Sequence, residues 1–189
     1  MKVIGLTGSI ASGKDEVAKF LARQGALVID ADKLAHSLYI TQTPVWQKLV
    51  KTFGSVILNR GGTINRKKLA EIVFADKKKL EWLNKIVHPY LKEAIVQILG
   101  HSTSMVVINA AVLKEIGLVD HVDEVWLVTA SKERRMKRLI KSGFSKEEAN
   151  KRIRSQASQK EYLAIADQII KNDGTKKQLQ RKIQACLQV

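Results

Sequence analysis

The stretch GLTGSIASGKDEVAKFL, residues 5–21, sets Gly8, Gly13 and Lys14 at the spacing G-x-x-x-x-G-K of a phosphate-binding loop. It leaves that pattern at one position. Asp15 stands where a Ser or Thr normally offers a hydroxyl to Mg²⁺. In such a loop the glycines let successive backbone N–H groups turn inward on a chain of phosphates, and the helix that follows points its positive end at them. Gly8, Ser9, Ile10, Ala11, Ser12, Gly13, Lys14, Asp15 and Glu16 are therefore the candidate nucleotide-phosphate site, with Lys14 as the cation for the outer phosphates. A simple glycine-rich turn between a strand and a helix is the alternative reading.

The flanks decide between the two. Residues 2–7, KVIGLT, are a short apolar run ending near glycine, the pattern of a buried parallel strand. Val17, Phe20 and Leu21 then recur at helical spacing, and Gly25 closes the helix. ALVID, 26–30, is a second buried strand, so the first thirty residues form one strand, loop, helix, strand unit. From Asp32 to Leu99 the pattern is helical, with Asn65 and Asp76 as N-caps, a turn or hairpin in SVILNRGGTIN, and an expected interruption at His88-Pro89. MVVIN (105–109), DEVWLVT (123–129) and QIIKN (168–172) read as further strands. Between and after them lie a basic helix from Ser131, a second from the Ser145/Glu148 capping box, and a last from Thr175/Gln178. Strands separated by helices predict an α/β fold with a parallel sheet, a helical insertion after the second strand and a smaller one after the fourth.

Composition limits the function classes. A chain of 189 residues with 45% hydrophobic content buries one substantial core. No run of about 18 apolar residues suggests a membrane span, and no signal-peptide pattern opens the chain, so a soluble cytoplasmic protein is expected. The single cysteine, Cys186, forms no intrachain disulfide or cysteine metal cluster. Lys and Arg number 33 against 18 Asp and Glu, a net +15, so the favoured partner is anionic. Aromatic residues are only 5%, too few for an obvious base-stacking platform, and the basic residues spread over several helices. Nucleic acid is the less favoured partner, and a phosphorylated small molecule fits the charge.

Two other groups of residues carry possible chemistry. Asp30-Ala31-Asp32 ends the second strand, at the edge where open α/β sheets bind ligands. A carboxylate there can accept the proton of an attacking hydroxyl, and it can equally cap the next helix. Arg134, Arg138 and Lys141 share a face of the helix that starts at Ser131, either closing over a triphosphate or facing solvent.

IGLTGSIASGK, VIDADKLAH (28–36), INRKKLAEIVF (64–74), LNKIVHP (83–89), KRLIKSGFSKEEANKRIRSQ (137–156) and Ala166, Asp167, Ile169, Ile170 and Asn172 together resemble the dephospho-CoA kinase family over nearly the whole chain. The resemblance implies a three-layer P-loop kinase fold with a five-stranded parallel sheet, a helical substrate domain and a helical lid. On this chain the core would be 1–30, 104–130 and 168–189, the substrate domain 31–103 and the lid 131–167. It implies ATP as phosphoryl donor, Mg²⁺, and 3′-dephospho-CoA as the small-molecule acceptor, phosphorylated on its ribose 3′-hydroxyl. Asp32 matches the family's proposed general base, Arg138 a lid arginine that reaches the phosphates, and Asn172 the segment beside the adenine. His88 is structural or adjacent to substrate. A nucleoside or nucleotide kinase, or a silent nucleotide or RNA binder, are the competing readings.

Three positions depart from the family pattern: Asp15 in the loop, Lys141 in place of a second lid arginine, and INAAVLKE (108–115), where Asn109 takes the place of an acidic residue near the metal. Lysine keeps the charge but loses the planar fork. The other two departures suggest that a carboxylate moved from position 109 to position 15 with the ion retained. The rival reading is that Asp15 repels the triphosphate.

Overall fold

The computed structural model describes residues 1–156 and 159–188. They divide into two compact units, Met1–Asp30 with His101–Val189, and Ala31–Gly100. Residues 131–167 fall within the first of these.

The first unit is built on five parallel strands: β1 (Val3–Thr7), β2 (Leu27–Asp30), β3 (Val106–Asn109), β4 (Glu124–Thr129) and β5 (Gln168–Lys171), in the spatial order β2-β3-β1-β4-β5. Every residue of β1 and β3 is buried, which is why both read as continuous apolar runs without alternation. Ile4 and Leu6 of β1 meet Val17, Phe20 and Leu21 of α1 (Lys14–Arg23) and Leu179 and Ile183 of α9 (Lys176–Leu187) in one cluster, with Trp126 fully buried among them. Gly5 points to the opposite face, where a Cβ would run into Leu113 and Val122. Each buried Leu or Ile contributes about 1.5–3 kcal/mol of transfer free energy, so this core fixes the sheet edge that carries the loop. Two carboxylates anchor strand beginnings: Asp123 accepts the Val3 N–H at 2.6 Å and Asp167 the Val125 N–H at 2.7 Å.

The segment after β4 holds α6 (Lys132–Lys141), capped by Ser131, then α7 (Lys146–Arg154), started by the Ser145/Glu148 capping box, and the short α8 (Gln159–Leu163). Thr175 and Gln178 form the same reciprocal cap on α9.

The second unit is helical. It contains α2 (Ala31–Ser37), α3 (Pro44–Phe53), α4 (Arg66–Phe74) and α5 (Lys77–Gly100). Asn65 caps α4 by accepting the Lys68 N–H at 3.1 Å, and Asp76 accepts the Lys78 N–H at 2.8 Å at the start of α5. SVILNRGGTIN folds back on itself, with Leu58 paired antiparallel to Ile64. The expected interruption at His88-Pro89 does not occur, and α5 runs through Pro89. Val87, Leu91 and Ile95 are all buried and span the proline at helical spacing, so packing outweighs the one lost N–H donor and the ring's clash with the preceding turn.

Candidate active site

The loop between β1 and α1 owes its shape to close backbone approach. Gly8 (φ 143°) and Gly13 (φ 100°) lie in the region that side chains avoid. A Cβ on Gly8 would strike the Val128 carbonyl, and one on Gly13 the Asn172 amide. Ala11, at φ 57°, takes a left-handed conformation despite its methyl group. Among the described residues, the amides of Ala11, Gly13 and Asp15 have no protein acceptor, as a loop that presents N–H groups to an anion requires.

The carbonyls of Ile10, Ala11 and Ser12, by contrast, are held by side chains. Arg138 of α6 donates through Nη1 to Ala11 O (2.9 Å) and Ser12 O (2.8 Å), and through Nη2 to Asn172 O (2.8 Å). The buried Asn172 donates its own Nδ2 to Ser12 O at 2.8 Å. Arg135, one helical turn earlier, donates Nε to Ile10 O at 2.9 Å. Burial, then the neighbouring Arg134, pulls the Arg138 guanidinium below its ordinary pKa, with Asp173 and Glu16 opposing. The structure thus brings Arg138 and Asn172 onto the loop. Arg134 and Lys141, expected on the same face, make no side-chain hydrogen bond there among the described residues.

Asp15 and Asn109 meet at the carboxyl edge of the sheet. Asn109 Nδ2 donates to Asp15 Oδ1 at 2.9 Å. Asn109 is buried, and its Oδ1 has no hydrogen-bond partner among the described residues, as is also true of Ser12 Oγ. Asp30 is the cross-strand partner of Asn109 in the β2–β3 register. Glu16 faces outward, where hydrogen bonding from Lys19 lowers its pKa and Lys176 adds to the effect.

The family model described as dephospho-CoA kinase matches residues 2–178. The chain belongs to the dephospho-CoA kinase family. A dephospho-CoA kinase from Carboxydothermus hydrogenoformans is 37% identical over 100% of this chain and 94% of that protein. The crystal structure of TT1252 from Thermus thermophilus matches with a TM-score of 0.83 and 31% identity, covering 99% of this chain and 96% of that one. A dephospho-CoA kinase from Campylobacter jejuni gives a TM-score of 0.71 at 27% identity, covering 100% and 96%. The fold is that of the P-loop kinases, and a dephospho-CoA kinase uses ATP as its phosphoryl donor.

Within the helical unit, Asp32 lies exposed in the first turn of α2. Arg66 donates Nη2 to His36 O at 3.3 Å, and the His36 and Tyr39 rings meet edge to face at 5.8 Å. Burial raises the Tyr39 hydroxyl pKa, Arg66 opposes the shift and Asp32 adds to it. His88 lies inside α5, and no helix among the described residues is long and apolar enough to cross a membrane. Arg135 and Gln156 had no assigned role in the sequence. The available signal was that Arg135 stands three residues from Arg138 and so shares its face.

Proposed function

We infer that this chain transfers the γ-phosphoryl group of ATP to the ribose 3′-hydroxyl of 3′-dephospho-CoA, giving CoA and ADP. The observation that carries the reading is a glycine loop with the Ala11, Gly13 and Asp15 N–H groups open and the Ile10, Ala11 and Ser12 carbonyls held by arginines, on a chain that matches dephospho-CoA kinases along nearly its whole length. Residues 1–30, 104–130 and 168–189 serve as nucleotide core, 31–103 as the acceptor domain and 131–167 as the lid. The cytoplasm is the proposed compartment.

The loop N–H groups and Lys14 orient the triphosphate and offset charge on it. Asn172, through its bond to Ser12 O, keeps the loop beside the adenine end in register. Asp32 follows β2 by two residues and accepts the proton of the acceptor hydroxyl. The residues at the sheet edge fit a hard cation: the Asp15 carboxylate supplies oxygen, and the buried Asn109 Oδ1 lacks a hydrogen-bond partner that water of a hydrated ion would provide. Asp15 and Asn109 would hold Mg²⁺, which when bound neutralises charge on the phosphoryl oxygens. The Asn109 amide donates to Asp15 Oδ1, and Oδ2 would be the carboxylate oxygen left to ligate the ion.

Acceptor selectivity tests this reading. ADP release with Mg-ATP is compared for 3′-dephospho-CoA, free nucleosides and nucleoside monophosphates. Turnover dependent on 3′-dephospho-CoA supports it, and preference for a nucleoside or nucleotide replaces it with that kinase activity.

A further inference from the structure

We propose that Arg135 and Gln156 are positioning residues for the nucleotide, which act by gripping Ile10 from behind the loop. The proposal rests on the reading of residues 8–15 as the ATP phosphate site. Ile10 is held on both sides: its N–H donates to Gln156 Oε1 at 2.7 Å, and its carbonyl accepts from Arg135 Nε at 2.9 Å. The grip is closed by Arg135 Nη2, which donates to the same Gln156 Oε1 at 3.2 Å. One side-chain oxygen therefore joins the residue just beyond the α7 C-cap, α6 and the loop.

Because a peptide unit is planar and its C=O and N–H point in opposite directions, a carbonyl fixed outward sends the next residue's N–H the other way. Arg135 on Ile10 O orients the Ala11 N–H, and Arg138 on Ser12 O orients the Gly13 N–H. Those two amides have no protein acceptor among the described residues. Arg138 and Asn172 fix the second half of the loop; the first half depends on Arg135 and Gln156.

The same guanidinium is electrostatically incomplete. Arg135 forms no salt bridge among the described residues, and burial lowers its pKa, against a smaller opposing effect of Tyr162. A cation satisfied only by neutral oxygens favours an incoming polyanion nearby. The cavity beside it, lined by Ser9, Thr129, Arg135, Ile153, Gln156 and Tyr162, measures about 60 Å³, against ~300–1,000 Å³ for a small-molecule site. That cavity is too small for a ligand of this kind, and the effect of Arg135 and Gln156 reaches the phosphates through the loop backbone.

The test combines ATP affinity by calorimetry, KM for 3′-dephospho-CoA, Tm, and the ¹⁵N–¹H signal of the Ile10 amide in the full chain. Arg135→Met and Gln156→Leu are expected to weaken ATP about tenfold, in line with loss of charge-assisted hydrogen bonds, while KM for the acceptor stays within about twofold. Gln156→Leu also moves the Ile10 amide signal. Gln156→Glu, which keeps the acceptor for both donors, restores the Ile10 amide signal, while its charge offsets Arg135 and leaves ATP affinity below wild type. Arg135→Lys guards against a folding failure of the methionine variant, and it falls between wild type and Arg135→Met in ATP affinity. ATP binding within about twofold of wild type in Arg135→Met, Arg135→Lys and Gln156→Leu would overturn the proposal. Failure of the wild type itself to bind ATP would remove the underlying reading and the proposal with it.

Discussion

Asn109 donates a 2.9 Å hydrogen bond to Asp15, across 94 residues of chain. These are the two positions whose residues read in the sequence as departures from the family pattern, and the structure puts them in direct contact. An aspartate in the loop position carries the charge that the strand position lacks, and the asparagine now offers an amide donor to hold it. Asp15→Ser and Asn109→Asp form a double-mutant cycle on this relationship. The expected coupling in kcat/KM for Mg-ATP is well beyond about 0.5 kcal/mol, with the double variant more active than the sum of the single losses implies. Simple additivity would mean that the two departures are independent.

Asp32 is expected to act on the chemical step and not on nucleotide binding. Asp32→Asn should lower kcat by about 10²–10⁴-fold with ATP affinity unchanged, as loss of a general base does. Rapid-quench turnover together with equilibrium ATP binding separates the two. Near-normal turnover would take Asp32 out of the mechanism.

Gly13→Ala tests the loop backbone. The new methyl would meet the Asn172 amide at a φ of 100°, so both strain and the loss of the Asn172 to Ser12 bond are expected. Backbone strain of this kind costs about 1–3 kcal/mol, and ATP affinity should fall at least tenfold while the helical unit, Ala31–Gly100, keeps its circular dichroism. Unchanged ATP affinity would show that the loop tolerates a different path.

A pH effect follows from Asp173. Its carboxylate accepts the Ser131 N–H at 2.7 Å, which holds its pKa below the ordinary value, and Lys171 and Arg134 add to this. A carboxyl whose folded pKa is depressed contributes stability present above its unfolded value and lost as pH falls through the folded one. Ser131 caps α6, the helix that carries Arg135 and Arg138. Tm should therefore fall as pH drops below about 4, and Asp173→Asn should make that slope shallower. An identical slope in both proteins would remove Asp173 as a contributor.

The sequence made some of these features readable and hid others for physical reasons. Val3–Thr7 could be recognised because a buried strand of a parallel sheet is short and apolar; Leu27–Asp30 is a strand as expected but not a buried one, since it lies at the sheet edge with Leu27 exposed and only Ile29 buried. Ser145 with Glu148 and Thr175 with Gln178 were readable because capping is a local interaction. Pro89 misled because a local preference was weighed without the burial of Val87, Leu91 and Ile95 around it. The five-residue α8 is too short to show a period. The Arg135 bond to Ile10 spans 125 residues and depends on how α6 crosses the loop, so nothing local encodes it. Asp15 and Asn109 could be linked in advance only because two departures with opposite effects on charge appeared together.

Formation of CoA by the unaltered protein, followed by mass spectrometry with Mg-ATP and 3′-dephospho-CoA, tests the account most directly. The expected result is acceptor-dependent turnover of about 1–100 s⁻¹ with one ADP for each CoA, which requires Asp15 to be compatible with transfer. ATP bound without any CoA formed would contradict it.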